Sequence, residues 1–200
     1  MINVSIAGIG GQGSVLAARI LAQAAEAKGW QVRSAETIGM AQRGGDVMSH
    51  VRMGNAGEEV FSPLPAKGTV DVLIALEPGE AARALPYLKE NGLLVVASTG
   101  IPPVMANFKR QTYDPQHLID DMQAAGVKMV VVDDAELVHR LGEPKALNVM
   151  MLAYAIIAVN KREDCVDNAL RGAITLEDIE AAIPLCVKRK LVSVNEKAIK

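Results

Sequence analysis

Apolar residues fall at every second position over Ile2, Val4 and Ile6, with Asn3, Ser5 and Ala7 between them, and this period predicts a first strand. The spacing then turns helical. Ser14 stands where a cap is needed, and Val15, Leu16, Ile20 and Leu21 share one side of a helix that Gly29 ends. Gln31 to Thr37 predicts a second strand, and after breaks at Gly39 and Gly44-Gly45 a third runs from about Val47 to Met53. On that third strand Val47, Ser49 and Val51 take one face, and Asp46, Met48, His50 and Arg52 take the other. A polar face of this kind suits solvent on an antiparallel strand; a surface that closes over a ligand or partner is the alternative.

Asn55-Ala56-Gly57 reads as a hairpin-like turn, and Pro63 and Pro65 suit an irregular connection. Val70 to Leu76 is a strongly apolar strand, followed by a helical stretch from about Glu80 to Lys89 that Pro86 kinks or splits. Asn91-Gly92 then leads into a strand over Leu93 to Ala97, and these continuous apolar runs predict a central parallel sheet covered on both faces. A loop-rich stretch from Ser98 to Tyr113 precedes a helix near Pro115 to Ala125 and a strand at Val127 to Val132. Ala135 to Leu141 and Lys145 to Val159 predict two further helices, and Thr175-Leu176-Glu177-Asp178 reads as a capping box at the start of a third. After Pro184 the chain passes Lys188-Arg189-Lys190, Leu191, Val192 and Val194 and ends in a tail. The expected fold class is α/β: three layers, a mostly parallel central sheet with helices on both faces and a Rossmann-like opening unit, in one domain over residues 1–200.

Composition narrows the partners. A net charge of −2 gives the whole chain no pull toward phosphate backbones or anionic lipid, and one Trp, three Tyr and two Phe are too scattered to stack bases. Nucleic acid and membrane are therefore not expected partners. Cys165 and Cys186 stand apart without a CxxC spacing and so cannot supply a four-thiolate zinc or iron–sulfur site. Val149 to Val159 is too short to span a bilayer, and no secretory pattern opens the chain, so a cytoplasmic location is the default expectation.

Candidate chemistry concentrates in two glycine-rich turns. In Gly8-Ile9-Gly10-Gly11-Gln12-Gly13 the glycines at 8, 10 and 13 have the spacing in which the first makes a turn, the second admits a ligand and the third brings helix close to strand. Amides at the start of the following helix would then face an anion, although tight packing with no ligand gives the same spacing. In Gln42-Arg43-Gly44-Gly45 a guanidinium stands beside two glycines whose amides can converge on an anion; a solvated turn with an incidental Arg is the bland reading. The two turns follow consecutive strands of one unit and can lie on one sheet edge, and His50, close in sequence to the second turn, is a further candidate binding residue. Glu36 stands where a ribose-binding acid of a dinucleotide site would, whereas His117 and His139 sit in helical patterns as surface residues. Asp133-Asp134 reads as helix caps with no metal assigned, and Glu77 either orients a ligand at the sheet edge or, more economically, is the charge partner of a helix N-terminus.

The combination of both turns with Glu36, Gly39-Met40-Ala41, Ser49-His50-Val51-Arg52 and Ala75-Leu76-Glu77-Pro78 resembles the gamma-type domain of 2-oxoacid:ferredoxin oxidoreductases. Pro102-Pro103 and Ala146-Leu147-Asn148-Val149 extend the likeness over most of the chain, and within the family it is to the small beta subunit of the indolepyruvate branch. Ile38 departs from the pattern, which has a polar residue, often His, before the Gly-Met-Ala-Gln-Arg-Gly-Gly run. The resemblance implies an accessory subunit with no catalytic residue of its own, inactive alone. Thiamine diphosphate, Mg and iron–sulfur clusters would sit on a larger alpha subunit that passes electrons to ferredoxin, and coenzyme A is a possible shared ligand. Gly10 to Gly13 and Gln42 to Gly45 would contact an anion or form the subunit interface. Two other readings remain at this point: a free-standing NAD(P)-binding dehydrogenase that uses Glu36, and an interaction module that binds no small molecule.

Overall fold

The computed structural model describes residues 1–39, 44–55, 57–103 and 112–199. Gln42 and Arg43 of the second turn, Ala56 of the hairpin-like turn and the middle of the 98–113 stretch lie outside the described residues. β1 (Ile2–Ile9) passes through the first glycine turn into α1 (Ser14–Ala27), and β2 (Gln31–Ile38) and β3 (Asp46–Gly54) follow. β4 (Val70–Ala75), α2 (Pro78–Ala84) and β5 (Leu88–Ala97) form the second unit. α3 (Pro115–Ala124), β6 (Met129–Val132), α4 (Asp134–Leu141), α5 (Leu147–Lys161), α6 (Leu176–Cys186) and α7 (Arg189–Lys197) complete the order.

The six strands lie in the order β2-β3-β1-β4-β5-β6. β1, β4, β5 and β6 pair in parallel, while β3 is antiparallel to both of its neighbours. α1, α5 and α6 cover one face with Ile20, Leu21, Met151 and Ile183, and α2 and α3 cover the other with Ala81, Ala84 and Ile119. Ile20 and Leu21 are fully buried, and each stabilises the fold by about 1.5–3 kcal/mol. The three-layer α/β expectation therefore holds, and β4 and β5 carry the continuous apolar runs because both of their faces are covered. α1 leaves β1 on one face and α2 leaves β4 on the other, so the carboxyl ends of these neighbouring strands flank a topological switch point.

Four local expectations need correction. The polar face of β3 is not a solvent face, because Tyr87 and the Ser62–Leu64 segment lie over it: His50 is 2% exposed, and Arg52 donates to Asn3 Oδ1 at 3.0 Å and to Ser62 O at 2.8 Å. Ser14 is not the α1 cap; Gly13 holds that position in a left-handed conformation, and Ser14 is buried in the first turn. Helix α2 stops at Ala84, and a short 3-10 turn at Leu85–Tyr87 puts Lys89 into β5, since Pro86 cannot donate to a continuing helix. The region after Pro184 is no tail: α7 forms there, and Ile199 beyond it is 8% exposed.

His50 shares a 2.9 Å hydrogen bond with Ser5 Oγ, and its ring lies 5.9 Å from that of Tyr87. Burial holds the imidazole below its usual 6.5, so the folded state favours the neutral ring. The unfolded chain then binds more protons below about pH 6.5, and the stability contributed by the neutral ring is full above that pH and is lost as pH falls toward the depressed folded value. Thermal unfolding followed from pH 7.5 down to 5.5, at about half-unit steps, should show a fall in midpoint that is smaller in His50→Gln. Equal falls in the two proteins would remove His50 as the source.

Candidate functional site

The first glycine turn is hemmed in by the side chains of Gln12, Leu76 and Asn148 and by the backbone of the second turn. Gly8 lies inside β1, not in the turn, and a side chain there would come within 2.9 Å of Gln12 Oε1 and 3.2 Å of Leu76 Cβ. Gln12 closes the loop: its Oε1 accepts from the Ile9 amide at 2.7 Å, and its Nε2 donates to Leu76 O at 2.8 Å. The chain reverses through Gly11 and Gly13, at φ 105° and 84°, a region that costs other residues about 1–2 kcal/mol. Gly13 also faces Asn148 of α5, whose Nδ2 donates to Gly13 O at 2.8 Å. The Oδ1 of Asn148 is buried with no hydrogen-bond partner among the described residues. Sequence reasoning quoted Asn148 only inside a motif, because its contact with Gly13 spans 135 positions of chain.

The second turn meets the first. The Gly10 amide donates to Gly45 O at 2.9 Å, so the close approach at Gly10 is to the other loop. Antiparallel pairing of β3 against β1, with Ile9 opposite Asp46, forces this meeting. The amides of Ser14 and Val15 take no backbone partner among the described residues, which is the normal state of a helix N-terminus and leaves them able to receive an acceptor.

Beside the turns, at the carboxyl ends of β1 and β4, lies a crevice of about 260 Å³ lined in part by Ile9, Gly45, Asp46, Glu77, Glu80 and Tyr113. Glu77 organises it. Its Oε2 caps α2 by accepting from the Glu80 amide at 2.9 Å, and its Oε1 accepts from the Ile101 amide at 3.2 Å and from the Tyr113 hydroxyl. Tyr113 Oη in turn accepts from the Gly79 amide at 3.1 Å, and burial together with the Glu77 carboxylate pushes the phenol well above its usual range. Burial likewise raises the Glu80 carboxyl, against the pull of Arg83 at 3.2 Å. Among the described lining residues Asp46, Glu77 and Glu80 stand against Arg83, a balance that disfavours a phosphate there, whereas the α1 amides suit an anion.

Gly8, Gly10, Gly11, Gln12, Gly13, Gly44 and Gly45 thus stand together, while His50 faces Ser5 and Tyr87 in mid-strand and lines no part of the crevice. Glu36 is displaced from any first-turn ligand: β3 lies between β2 and β1, about 10 Å at ordinary strand spacing, and Glu36 stands opposite Ser49, which faces Ile6 rather than the end of β1. His117 is exposed beside Asp121, and His139 is exposed on α4. Asp133 caps α4 by accepting from the Glu136 amide at 3.0 Å, and Asp134 accepts from the Thr99 amide at 2.8 Å. The sequence offers Glu77 both as a ligand-orienting group and as a helix cap, and the structure shows the cap; Tyr113, which lies 36 positions away with no motif around it, the sequence does not mark.

The family model described as pyruvate ferredoxin/flavodoxin oxidoreductase matches residues 3–200. A subunit named indolepyruvate oxidoreductase subunit IorB from Archaeoglobus fulgidus is 32% identical over 200 residues, covering 100% of this chain and 92% of its own length. The protein of the same name from Thermococcus kodakarensis is 31% identical over 98% of this chain and 91% of its own length. Among solved structures, the gamma subunit of a keto/oxoacid ferredoxin oxidoreductase from Geobacter sulfurreducens superposes with a TM-score of 0.66 at 23% identity, over 100% of this chain and 94% of that one. A 2-oxoglutarate:ferredoxin oxidoreductase chain from Magnetococcus marinus superposes with a TM-score of 0.67 at 15% identity, over 99% of this chain and 29% of its own. These likenesses to solved structures speak for the shared fold. With the family model matching nearly its whole length, the chain belongs to the pyruvate ferredoxin/flavodoxin oxidoreductase family.

Proposed function

We propose that this chain is the beta subunit of a heteromeric indolepyruvate ferredoxin oxidoreductase, an accessory body that supports oxidative decarboxylation of an arylpyruvate to its acyl-coenzyme A. The observation that carries this reading is identity of 31–32% along essentially the full length of relatives bearing that name. The chemistry of the side chains agrees. Iron–sulfur clusters need four cysteine ligands, and this chain offers Cys165, which is 1% exposed, and Cys186, neither near another thiol in sequence. The residues therefore do not fit such a cluster, and no electron-transfer step is assigned to them. A larger alpha subunit would bear the clusters, thiamine diphosphate and Mg, and would hand electrons to ferredoxin.

In this reading the chain positions. The α1 amides beside Gly13, with Arg43 in the neighbouring turn, are the groups suited to an anionic part of coenzyme A, and the glycine turns with Ile101 and Pro102-Pro103 form the face offered to the alpha subunit. Ile38 at 69% and Ile101 at 41% exposure leave apolar surface near these turns for a subunit contact. The dehydrogenase reading loses its support with the position of Glu36. The proposal also places the complex in the cytoplasm; among the described residues no helix is long and apolar enough to cross a membrane.

Co-expression with the gene for the alpha subunit should yield a brown complex that reduces ferredoxin with indolepyruvate and coenzyme A, while the chain alone should be colourless and without turnover. Turnover by the lone chain would defeat the proposal. Within the complex, Arg43→Ala should raise the KM for coenzyme A about tenfold, the loss of one charge-assisted contact, with kcat little changed. An unchanged KM would remove Arg43 from the ligand site.

A further inference from the structure

A second and larger groove, of about 440 Å³, lies between α4, α5 and the C-terminal end of α7, and it shares no lining residue with the crevice at the glycine turns. Its walls are apolar: Leu137 and Leu141 from α4, Met150 and Ile157 from α5, and Ile199 after α7. Tyr154 stands among them with 37% of its surface exposed. Two cations, Arg140 from α4 and Lys197 from α7, also line the groove, and no carboxylate side chain does among the described residues. Neither cation makes an ion pair among the described residues.

We propose that this groove binds a small amphipathic carboxylate with an aryl-sized apolar body. Charge complementarity selects the sign: two unpaired cations above apolar walls favour a monoanion whose remainder is apolar, and they disfavour a cationic or fully polar ligand. The volume falls within the range of small-molecule sites, about 300–1,000 Å³. Tyr154 and the Met150 thioether favour an aromatic body, through ring–ring and sulfur–ring contacts. Arg140 has the planar fork that matches a carboxylate, and Lys197 adds a point charge. The site does not rest on the proposed activity, since a ligand here would be bound by residues distinct from those of the glycine turns.

The test is titration of the ¹⁵N-labelled full chain with indole-3-acetate and with its neutral counterpart indole-3-acetamide. The acid should give saturable shifts confined to residues around 137–157 and 197–199, with the amide about tenfold weaker. The double variant Arg140→Gln/Lys197→Gln should bring the acid to the affinity of the amide and leave the amide unchanged, with the same unfolding midpoint as the parent. Ala198→Trp, which fills the groove from its edge, should abolish both; the charge variant carries the test if the tryptophan disturbs folding. Equal binding of acid and amide, or no saturation by the acid at millimolar concentration, would overturn the proposal. Tighter binding of decanoate than of indole-3-acetate would overturn its aromatic part.

Discussion

Replacing Glu77 by Ala should lower the stability of the chain by about 3 kcal/mol, because three donors lose their acceptor in one step. The α2 amide at Glu80 loses its cap, a loss of about 1 kcal/mol, and the Ile101 amide and Tyr113 hydroxyl keep their desolvation without a partner. Glu77 itself is 2% exposed, so water does not replace it without rearrangement. For a chain of 200 residues this corresponds to a midpoint roughly 6–12 °C lower by calorimetry. Glu77→Gln should cost less, since its carbonyl oxygen in the place of Oε1 still accepts two of the three bonds. The same carboxylate ties α2, the segment after β5 and Tyr113 together, so the alanine variant should also loosen the Ile101–Pro103 surface and weaken assembly with the alpha subunit. A midpoint within about 1 °C of the parent would mean that water or a neighbour satisfies those donors and that Glu77 does not organise the crevice.

The parts of this fold that were legible in the sequence are those written into local periodicity. Ile2, Val4 and Ile6 alternate because one face of β1 meets α1, and Val72 to Ala75 form an unbroken apolar run because both faces of β4 are covered. Thr175 and Asp178 announced the start of α6, and they form the reciprocal cap there. What periodicity does not carry is which strand lies beside which. Nothing in Val47–Met53 says that β3 turns back and inserts between β1 and β2, yet that one placement sets His50 against Ser5, makes β2 an edge strand and removes Glu36 from the first turn. Gly39 belongs to the same event: its amide donates to Asp46 O at 2.8 Å, and a side chain there would collide with Asp46.

The candidate site divides in the same way. Glycine spacing pointed to two turns, and strand pairing brings Gly10 and Gly45 together. The side chain that braces the first turn, Asn148, and the one that holds Glu77 beside it, Tyr113, come from segments remote in sequence, where an asparagine or a tyrosine has no spacing rule to mark it. Even within the glycine motif the roles shifted. Gly8 is needed for its lack of volume inside a strand, and Gly11 and Gly13 for their positive φ.

Gly13→Ala and Gly11→Ala should therefore differ, although both place a side chain at positive φ. At Gly11 nothing lies within 4 Å of an added Cβ, and the cost is the backbone strain alone, about 1–2 kcal/mol. At Gly13 the new carbon would stand 2.6 Å from Asn148 Nδ2, so the asparagine must shift and its 2.8 Å bond to Gly13 O is lost, which raises the cost to about 2–4 kcal/mol. The excess should vanish in the Asn148→Ala background, because the clash and the bond are then both absent; a double-mutant cycle read by denaturant unfolding measures this coupling directly. In the assembled complex Gly13→Ala should also raise the KM for coenzyme A more than Gly11→Ala does, since Gly13 caps α1 and sets the direction of its amides. Equal costs for the two alanines in the parent would show that Asn148 yields freely and does not brace the turn. A KM unmoved by either would place the anion away from the α1 N-terminus, because no rearrangement of that turn could then be felt by the ligand.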